Sequence, residues 1–518
     1  MSEPWVRFED DDLLVVSKPA GVNTHRADVH AQDGMYEWVA SQRPGDALSV
    51  LHRLDKATSG LLLFGKTTTA NRSMAAQFEE RGVDKRYELL AVRDDDRPAV
   101  GECSDPIDGR DARTEFSLTA SGRHLARYDA VPHTGRTHQV RVHAKALGIP
   151  IVGDADHGGA RAARLFLHAA GLACTHPATG ERLDLDDARP ASFDAALADG
   201  DGVDSIEMAA ACALESRRAL FDPDDTNCFV WLDRHHDGVA DVQVELLGDV
   251  ALVVDRRDDD RLPAGLLDAL HRQVELSAVY RQHRPRKGGG APAQLVAGIE
   301  PGRFEVLELG LGYRIDLGAS ATSSGLFLDQ RETRRRLRSA DRRGTTVLNT
   351  FAHTGALSVA AATAGAETLT LDLSKHYLDW ARENFRINGL DPDDHDFMYG
   401  DALDWMQRFA KKGRQFDLVI ADPPSSSTAR KGNAKRWSVE RDLHALVESS
   451  ARLCAPGGTL FVSTNLGRMS WAGFLGQIDQ GLTAAGRAGR IETQTLPLDH
   501  RTGPGDPPYL KAAWIDLE

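Results

Sequence analysis

The segment between residues 346 and 465 alternates short apolar runs with helix-like stretches, and this alternation restricts the fold more than any other feature. The apolar runs lie at 346–349, 368–372, 397–401, 416–424 and 457–465. Such a strand–helix–strand repeat predicts a doubly wound α/β sheet, because each helix returns the chain for a further parallel strand. A sheet of this kind binds its ligand at the carboxyl ends of the strands.

The residues at these strand ends indicate the ligand. Asp372 follows the first run by about 23 residues, a spacing that suits a ribose diol, and Gly355 lets a ligand approach the backbone. Dinucleotide binding is disfavoured, because no GxGxxG motif follows the first run. Asp422-Pro423-Pro424 fits S-adenosylmethionine-dependent methylation of a planar nitrogen, since its carbonyl groups and carboxylate can hold that nitrogen.

The rest of the 518-residue chain follows other patterns, and its length allows two to four domains. Residues 1–190 contain short strands in a mixed antiparallel pattern with few helices. Residues 205–318 have the pattern of a small α+β middle domain without a catalytic constellation. The Asp/Ala/Gly-rich stretch 191–204 predicts a flexible linker, and residues 319–518 contain the α/β pattern.

A possible second site lies in the N-terminal part, in the stretch HRLDKATSG at 52–60. It places Asp55 between cationic and hydroxyl neighbours, ahead of an apolar run. A crowded carboxylate of this kind usually pairs with an arginine, and the pair keeps it ionised. Taken alone, Asp55 could equally cap a turn or the start of a helix.

Charge and cysteine content limit the class of protein. The formal net charge of −15 is not that of a typical nucleic-acid binder. The arginine-rich stretches 280–287 and 331–343 could be solvated faces, or patches that bind RNA with steep salt dependence. Five scattered cysteines without a CxxC pair predict reduced thiols, a cytoplasmic location and no zinc site. No signal peptide or membrane span is expected.

Five blocks of the N-terminal part resemble RluA-type pseudouridine synthases, in the same order. They are VVSKPAG, HRLDKATSG, KRYELLAV, TGRTHQVRVHAKALGIPIVGD and RLFLHAAGLACTHPATGERL, and they span residues 8–185. The resemblance implies an α+β fold with a mixed antiparallel sheet, and an aspartate that acts on a flipped-out uridine. It assigns that role to Asp55, and it implies that Tyr87 stacks on the base and helps to remove the proton from C5. It also implies that Arg141 (less so Arg136) pairs with the aspartate, and that Arg53 fills the gap that the flipped-out nucleotide leaves. It implies no metal and no cofactor for this domain.

The C-terminal part resembles RlmI/RlmK-type 23S rRNA methyltransferases over residues 205–470. The resemblance is carried by ATSSGLFLDQRETRR, VLNTFAHTGALSVAAATAGA, LDLSKHYLDWARENFRINGL and IADPPSSS. It implies a Rossmann-like seven-stranded sheet, S-adenosyl-L-methionine as cofactor and Asp422-Pro423-Pro424 at the reacting base. The residues it places in the cofactor pocket are Phe351, Thr354, Gly355, Asp372, Asp401 and Asp422, with Asp329 and Arg331 near it.

The branches of this family differ in the base that they methylate. A 5-methylcytosine enzyme needs a cysteine nucleophile, expected just after the fifth apolar run, where Ser463-Thr464-Asn465 stands. Cys454 precedes that run and is predicted to be a packing residue. No aromatic residue follows the DPP motif, as it does in amino-adenine methyltransferases. Together with LDLSKHYLDWARENF, these features are most similar to the branch of the family that methylates guanine, so the resemblance implies guanine, at N7, with 5-methylcytosine as the alternative.

Together these features predict a bifunctional, cytoplasmic rRNA-modifying enzyme that acts on 23S rRNA or its precursor, with no evident protein partner. Two alternatives remain open. The N-terminal domain could serve only as an RNA-binding module for the methyltransferase. The whole chain could also be a non-catalytic ribosome-assembly factor.

Overall fold

The computed structural model describes residues 3–94, 100–200, 202–259, 261–285, 291–318, 323–426, 437–503 and 507–518. The N-terminal part forms a ten-stranded, mostly antiparallel sheet in the order β1-β2-β4-β9-β5-β8-β7-β6, with β3 beside β4 and β10 beside β9. Its strands are β1 (Val6–Glu9), β2 (Leu13–Lys18), β3 (Ser49–Val50), β4 (Ser59–Gly65), β5 (Asp84–Val92), β6 (Val100–Cys103), β7 (Thr114–Ser121), β8 (Leu125–Pro132), β9 (Leu167–Thr175) and β10 (Arg182–Asp186). Its helices are α1 (Met35–Gln42), α2 (Thr68–Glu79), α3 (Gln139–Ala146) and α4 (Ala191–Asp199).

The middle part contains a five-stranded sheet and a separate hairpin. The sheet has the order β11-β12-β13-β14-β15, and only its β13–β14 pair is parallel. This is the small α+β unit that the sequence predicts. Its elements are α5 (Ile206–Arg218), β11 (Cys228–Leu232), β12 (Val242–Leu247), β13 (Val250–Asp255), α6 (Leu266–Gln273), β14 (Ala278–His283), β15 (Gln294–Gly298) and the hairpin β16 (Arg303–Glu308) and β17 (Leu311–Asp316).

The C-terminal part is the predicted doubly wound sheet, with seven strands in the order β20-β19-β18-β21-β22-β24-β23. The first five are parallel and β24 is antiparallel to its neighbours. The strand order reverses beside β18, where a ligand site is expected. The elements are α7 (Arg331–Ser339), β18 (Thr346–Thr350), α8 (Ala356–Thr363), β19 (Glu367–Asp372), α9 (Lys375–Ile387), β20 (Asp396–Tyr399), α10 (Ala402–Lys411), β21 (Phe416–Ala421), α11 (Val439–Leu453), β22 (Cys454–Thr464), α12 (Trp471–Ala485), β23 (Gly489–Gln494) and β24 (Lys511–Leu517).

The prediction of a flexible linker at 191–204 is wrong for most of that stretch. Residues 191–199 form helix α4, whose Phe193 and Ala196 are fully buried. Phe193 packs edge-on against Phe166 of the N-terminal part, with ring centroids 5.2 Å apart. The alanines favour a helix, and the two apolar residues three positions apart supply the buried face that holds it in place.

The three parts share apolar cores. One buried cluster combines Leu14 and Trp38 of the N-terminal part with Phe229 and Trp231 of the middle part, and Leu498 from the C-terminal part also joins it. A second cluster joins the middle strands to the C-terminal sheet. Within the described part of the chain, no helix has both the length and the apolar character of a membrane span.

The arginine-rich stretch that begins at Arg331 is largely internal, so the interpretation of this stretch as an RNA-binding patch is wrong for its first turns. Arg331, Arg334 and Arg335 are buried in α7. Arg331 and Arg334 both pair with the buried carboxylate of Glu308. In the other arginine-rich stretch, Arg281 pairs with Asp255 at 2.7 Å, and residues 286–287 lie outside the described residues. Long-range pairing with acids, invisible in the local sequence, removes these charges from the surface.

We expect Asp499→Asn to destabilise the fold strongly. Asp499 Oδ1 lies 2.5 Å from Arg331 Nη1, and both side chains are fully buried. Burial by itself would raise the pKa of Asp499, but the charges of Arg331 and His500, together with hydrogen bonds from Arg331 and from Val230 N, outweigh it and lower the pKa from 3.8 to about 2. Removing one partner of a buried pair costs about 3 kcal/mol. Urea unfolding should show this loss at pH 7, and the difference from wild type should shrink as the pH falls from about 4 toward 2.

The matched control is Asp341→Asn, which removes an exposed carboxylate paired with Arg343. An exposed pair contributes less than about 1 kcal/mol. Equal losses in the two variants would show that the buried network does not stabilise the fold.

Candidate active sites

The loop that carries Asp55 joins β3 to β4 and lines a cleft of about 1300 Å³ in the N-terminal part. Backbone hydrogen bonds fix this loop. Thr24 Oγ1 donates to Leu54 O and accepts from Leu54 N, and Asp55 O accepts from Thr58 N at 3.1 Å. The buried ammonium of Lys18 donates to three carbonyl oxygens, one of them Lys56 O. Hydrogen bonds to Leu54 and to Lys56, the two neighbours of Asp55, therefore hold the backbone in the conformation that exposes the Asp55 carboxylate to the cleft.

Arg141, not Arg136, lies against Asp55. Arg141 Nη1 is 3.3 Å from Asp55 Oδ2, while Arg136 donates to the carbonyl of Asp111. The guanidinium is itself held by the buried carboxylate of Asp154, through Nε at 2.8 Å and Nη2 at 2.7 Å. The Asp154 hydrogen bonds raise the pKa of Arg141 above its ordinary value. The arginine therefore stays charged and points one nitrogen at Asp55.

Tyr87 of β5 lines the same cleft. Burial, together with the nearby charge of Asp55, raises the pKa of its phenol. The hydroxyl group is thus neutral at physiological pH. This favours stacking of the ring on a base over direct abstraction of a proton by a phenolate.

Arg53 also lines the cleft and is exposed at its wall, which is the position expected for a side chain that enters an RNA helix. The structure adds two residues that the sequence interpretation did not assign. Asp154 orients Arg141, and His138 Nε2 lies 3.8 Å from the second oxygen of Asp55. Both residues lie inside the block TGRTHQVRVHAKALGIPIVGD. The sequence alone, however, does not show that Asp154 contacts Arg141 or that His138 lies near Asp55.

A second pocket, of about 490 Å³, lies at the carboxyl ends of the parallel strands in the C-terminal sheet. The described residues that line it include six predicted from the sequence: Asp329, Phe351, Thr354, Asp372, Asp401 and Asp422. Gly355, also predicted, follows Thr354 in the same loop but is not itself part of the lining. Pro423 and Pro424 line it as well. Arg331 does not, because it is buried in the ion-pair network with Glu308 and Asp499; its expected place near the cofactor is wrong.

The loop after β18 bends sharply around this pocket. Phe351, His353 and Gly355 have φ of 57°, 51° and 73°, a left-handed conformation that costs energy at non-glycine residues and is concentrated at functional sites. Asp372, at the end of β19, accepts the His353 N–H at 2.8 Å and so holds the bend. Burial raises the pKa of Asp372.

The lining of this pocket fits S-adenosylmethionine. Among the described residues, His353 Nε2 and Asn349 Oδ1 are buried without a hydrogen-bond partner, so both remain available to a polar ligand. Phe327 and Leu373 are 48% and 58% exposed and give the pocket an apolar wall. The acids at the strand ends supply acceptors for hydroxyl and ammonium groups. His353, Asn349, Phe327 and Leu373 were not assigned from the sequence.

Asp422 lies at the end of β21, next to the proline pair. Burial raises its pKa to about 6, although hydrogen bonds from Ser463 Oγ (2.6 Å) and Gln330 Nε2 (3.1 Å) oppose that shift. Cys454 is fully buried, and burial raises its thiol pKa to about 12. Its predicted packing role is confirmed. All five cysteines are buried, and none lines this pocket.

We expect Gly355→Ala to weaken binding of S-adenosylmethionine at least tenfold. A Cβ atom here would lie 2.7 Å from Ala381 Cβ. Left-handed strain costs about 1 kcal/mol, and the overlap adds about 1–3 kcal/mol. Gly344→Ala is the matched control, because φ is +74° and no atom lies within 4 Å of the added Cβ. Calorimetric titration would contradict the prediction if the two variants bound alike.

Two family models match the chain. The model for RNA pseudouridylate synthases matches residues 12–146, and the model for S-adenosylmethionine-dependent methyltransferases matches residues 272–477. The first match covers the Asp55 loop, Tyr87 and Arg141. The second covers the loop after β18 and the Asp422 motif.

Several curated relatives of this chain are named as ribosomal RNA large subunit methyltransferases. Bacillus subtilis YwbD, which bears the name of a ribosomal RNA large subunit methyltransferase, is 33% identical over 313 residues, or 58% of this chain and 78% of that protein. Ribosomal RNA large subunit methyltransferase K of Neisseria meningitidis is 38% identical over 164 residues, or 32% of this chain and 46% of that protein. The match to methyltransferase K/L of Allochromatium vinosum, at 37% identity, covers 45% of this chain and only 30% of that protein.

A solved structure of the methyltransferase SMU.776, complexed with SAH, has a TM-score of 0.53 and 23% identity over 68% of this chain and 89% of that one. At this identity the likeness shows the fold. The Bacillus subtilis match, at 33% identity over 78% of that protein, shows that the chain belongs to the S-adenosylmethionine-dependent methyltransferase family, and the family match over residues 12–146 shows that it carries an RNA pseudouridylate synthase domain ahead of its methyltransferase part.

Proposed function

We propose that this protein modifies large-subunit rRNA twice, by isomerising a uridine at Asp55 and by methylating a guanine near Asp422. The observation that carries the proposal is the presence of two complete and separate clefts in one chain. One holds the Asp55–Arg141 pair, and the other holds the strand-end acids and the DPP motif. The relatives named as rRNA large subunit methyltransferases support 23S rRNA or its precursor as the substrate.

In the first cleft, a flipped-out uridine would enter between Asp55 and Tyr87. Extrusion of a base costs a few kcal/mol, and stacking on an aromatic ring recovers part of it. Arg141 stabilises the charged carboxylate and, being clamped by Asp154, needs no rearrangement when the base arrives. The Asp55 carboxylate acts on the uridine so that its glycosidic bond breaks and reforms at C5. Arg53 occupies the gap in the RNA stack.

In the second cleft, the strand-end acids and the bent loop would hold S-adenosylmethionine, which supplies the methyl group when bound. His353 Nε2 and Asn349 Oδ1 provide unused polar contacts, and Asp372 and Asp401 provide acceptors at the ends of β19 and β20. Asp422 and the carbonyl groups of the proline pair accept hydrogen bonds from N–H groups of the base and so orient its reacting nitrogen toward the methyl group. The carboxylate stabilises positive charge that develops on the base as it is methylated.

The guanine assignment rests on the buried carboxylate and on the position of the cysteines. A 5-methylcytosine reaction requires a thiolate in contact with the base, and the described pocket has no cysteine in its wall. We place the methyl group at N7, following the sequence motif. Asp422 then contacts the N–H groups on the other edge of the ring or the charge delocalised over it.

The test uses large-subunit rRNA from a strain that lacks this gene. The full chain is incubated with that RNA and S-adenosylmethionine, and the nucleosides are then mapped and identified by mass spectrometry. We expect one new pseudouridine and one methylguanine. Formation of 5-methylcytosine would overturn the guanine assignment. Methylation without pseudouridine would reduce the N-terminal part to an RNA-binding module, and the absence of both products would favour an assembly factor.

A further inference from the structure

A third cavity, of about 280 Å³, lies where the N-terminal sheet, helix α5 and residues 501–503 meet. Lys56 and Ala57 form part of its wall and also line the Asp55 cleft. The two cavities therefore share the loop that carries Asp55. Neither the uridine chemistry nor the methyl transfer uses this third cavity.

The wall of the cavity carries three cations, on Lys56, Arg164 and Arg501. Its one carboxylate, Asp237, is already bound by Arg217, at 2.6 Å and 3.0 Å. Within the ranges that the structure describes, none of the three cations forms an ion pair with a carboxylate. The cavity therefore has an excess of positive charge.

The three side chains do donate hydrogen bonds, but only to neutral oxygen atoms. Lys56 donates to Thr502 O. Arg164 donates to Leu165 O at 3.1 Å and to Ser59 Oγ at 2.7 Å. Arg501 donates to Leu498 O at 2.9 Å and to Ser216 Oγ. These bonds fix the side chains and leave Arg164 Nη1 and Arg501 Nε without an acceptor among the described residues.

Burial makes this arrangement unfavourable in the absence of an anion. Arg501 is only 5% exposed. Burial, reinforced by the charge of Arg217, lowers its pKa to about 9, and burial likewise lowers the pKa values of Lys56 and Arg164. Buried charges in proteins are normally paired, because desolvation of an unpaired ion is costly.

We propose that this cavity binds a phosphate group through Lys56, Arg164 and Arg501. Guanidinium groups present N–H donors in the planar geometry that phosphate oxygens accept, and a lysine adds a point charge. The phosphate could be free, as inorganic phosphate or a phosphate monoester, or it could belong to the backbone of the RNA. Because Lys56 follows Asp55 directly, an occupied cavity would stabilise the loop of the uridine site.

The test is calorimetric titration of the full chain with inorganic phosphate, at constant ionic strength balanced with chloride. We expect one equivalent to bind, and Arg164→Gln and Arg501→Gln each to weaken binding at least tenfold. Arg161→Gln is the control, because it removes an exposed arginine three residues from Arg164 and should bind like wild type. If Arg501→Gln does not fold, Arg164→Gln decides. No binding to wild type, or unchanged binding in the Arg164 variant, overturns the proposal.

A second titration, with a large-subunit rRNA fragment, identifies the source of the phosphate. If the RNA backbone occupies the cavity, Arg164→Gln weakens RNA binding and inorganic phosphate competes with RNA. If the ligand is a free phosphate, RNA affinity is the same in wild type and in the variant. Both results support a phosphate site, provided that the first titration has located phosphate there.

Discussion

We expect Asp55→Asn to abolish pseudouridine formation and to leave methyl transfer intact. The substitution keeps the shape of the side chain but removes the charge that Arg141 holds at 3.3 Å. Loss of a residue that reacts with the substrate lowers rates by roughly 10³-fold or more. The measurement is pseudouridine mapping on rRNA from the gene-deletion strain, with methylguanine in the same RNA as the internal reference.

The matched control is Asp156→Asn. Asp156 lines the same cleft and also contacts Arg141, at 3.0 Å, but its side chain is 76% exposed, and Asp154 still clamps the arginine. This variant should lose only a small part of the activity. Pseudouridine at the wild-type level in Asp55→Asn would show that a group other than Asp55 carries out the isomerisation.

We expect Asp422→Asn to reduce methyl transfer roughly 10²-fold or more and to remove the dependence of the rate on pH in the acid range. Burial raises the pKa of Asp422 to about 6. The wild-type rate should therefore be constant above pH 7 and fall about tenfold per pH unit below about 6, as the carboxylate takes up a proton. In the variant no proton is taken up, so the low rate should be flat across this range. Transfer of a radiolabelled methyl group to rRNA measures both profiles.

Asp417→Asn is the control for this experiment. Asp417 lies on the same strand, β21, at its exposed amino end, where it accepts hydrogen bonds from Thr346 rather than from a ligand. Its rate and pH profile should match those of wild type. A variant at Asp422 that kept the acid limb would assign that limb to another group.

The C-terminal sheet and the pairing of Asp55 with Arg141 were predicted correctly, because local sequence patterns determine them. The alternation of apolar runs and helices specified the C-terminal sheet, because parallel strands need helical crossovers and leave their ends on one edge. Asp55 and Arg141 could be paired because the blocks around them are ordered motifs. The same reasoning failed for Arg331, whose partner Asp499 is 168 residues away. It also failed for residues 191–199. Their composition indicated a flexible linker, but they form a helix because burial of Phe193 holds the segment against the N-terminal part.

Three of the residues missed at the sites share one property. Asp154, Gln330 and Ser463 hydrogen-bond to the side chains that were predicted to act at the sites and hold them in position. Such a role depends on a distance that only the folded chain provides. The cations of the third cavity were missed for the same reason, since Arg164 and Arg501 are far apart in the sequence and meet through the packing of three parts of the chain.

The shared core of Leu14, Trp38, Phe229, Trp231 and Leu498 bears on how such a gene can evolve. In many fusions two modules are tethered by a spacer, and either can be lost by truncation without harm to the other. Here a truncation between the synthase and methyltransferase parts would expose large aromatic faces to water and favour aggregation. The two parts are therefore inherited together, and selection on either one also maintains the fold of the other.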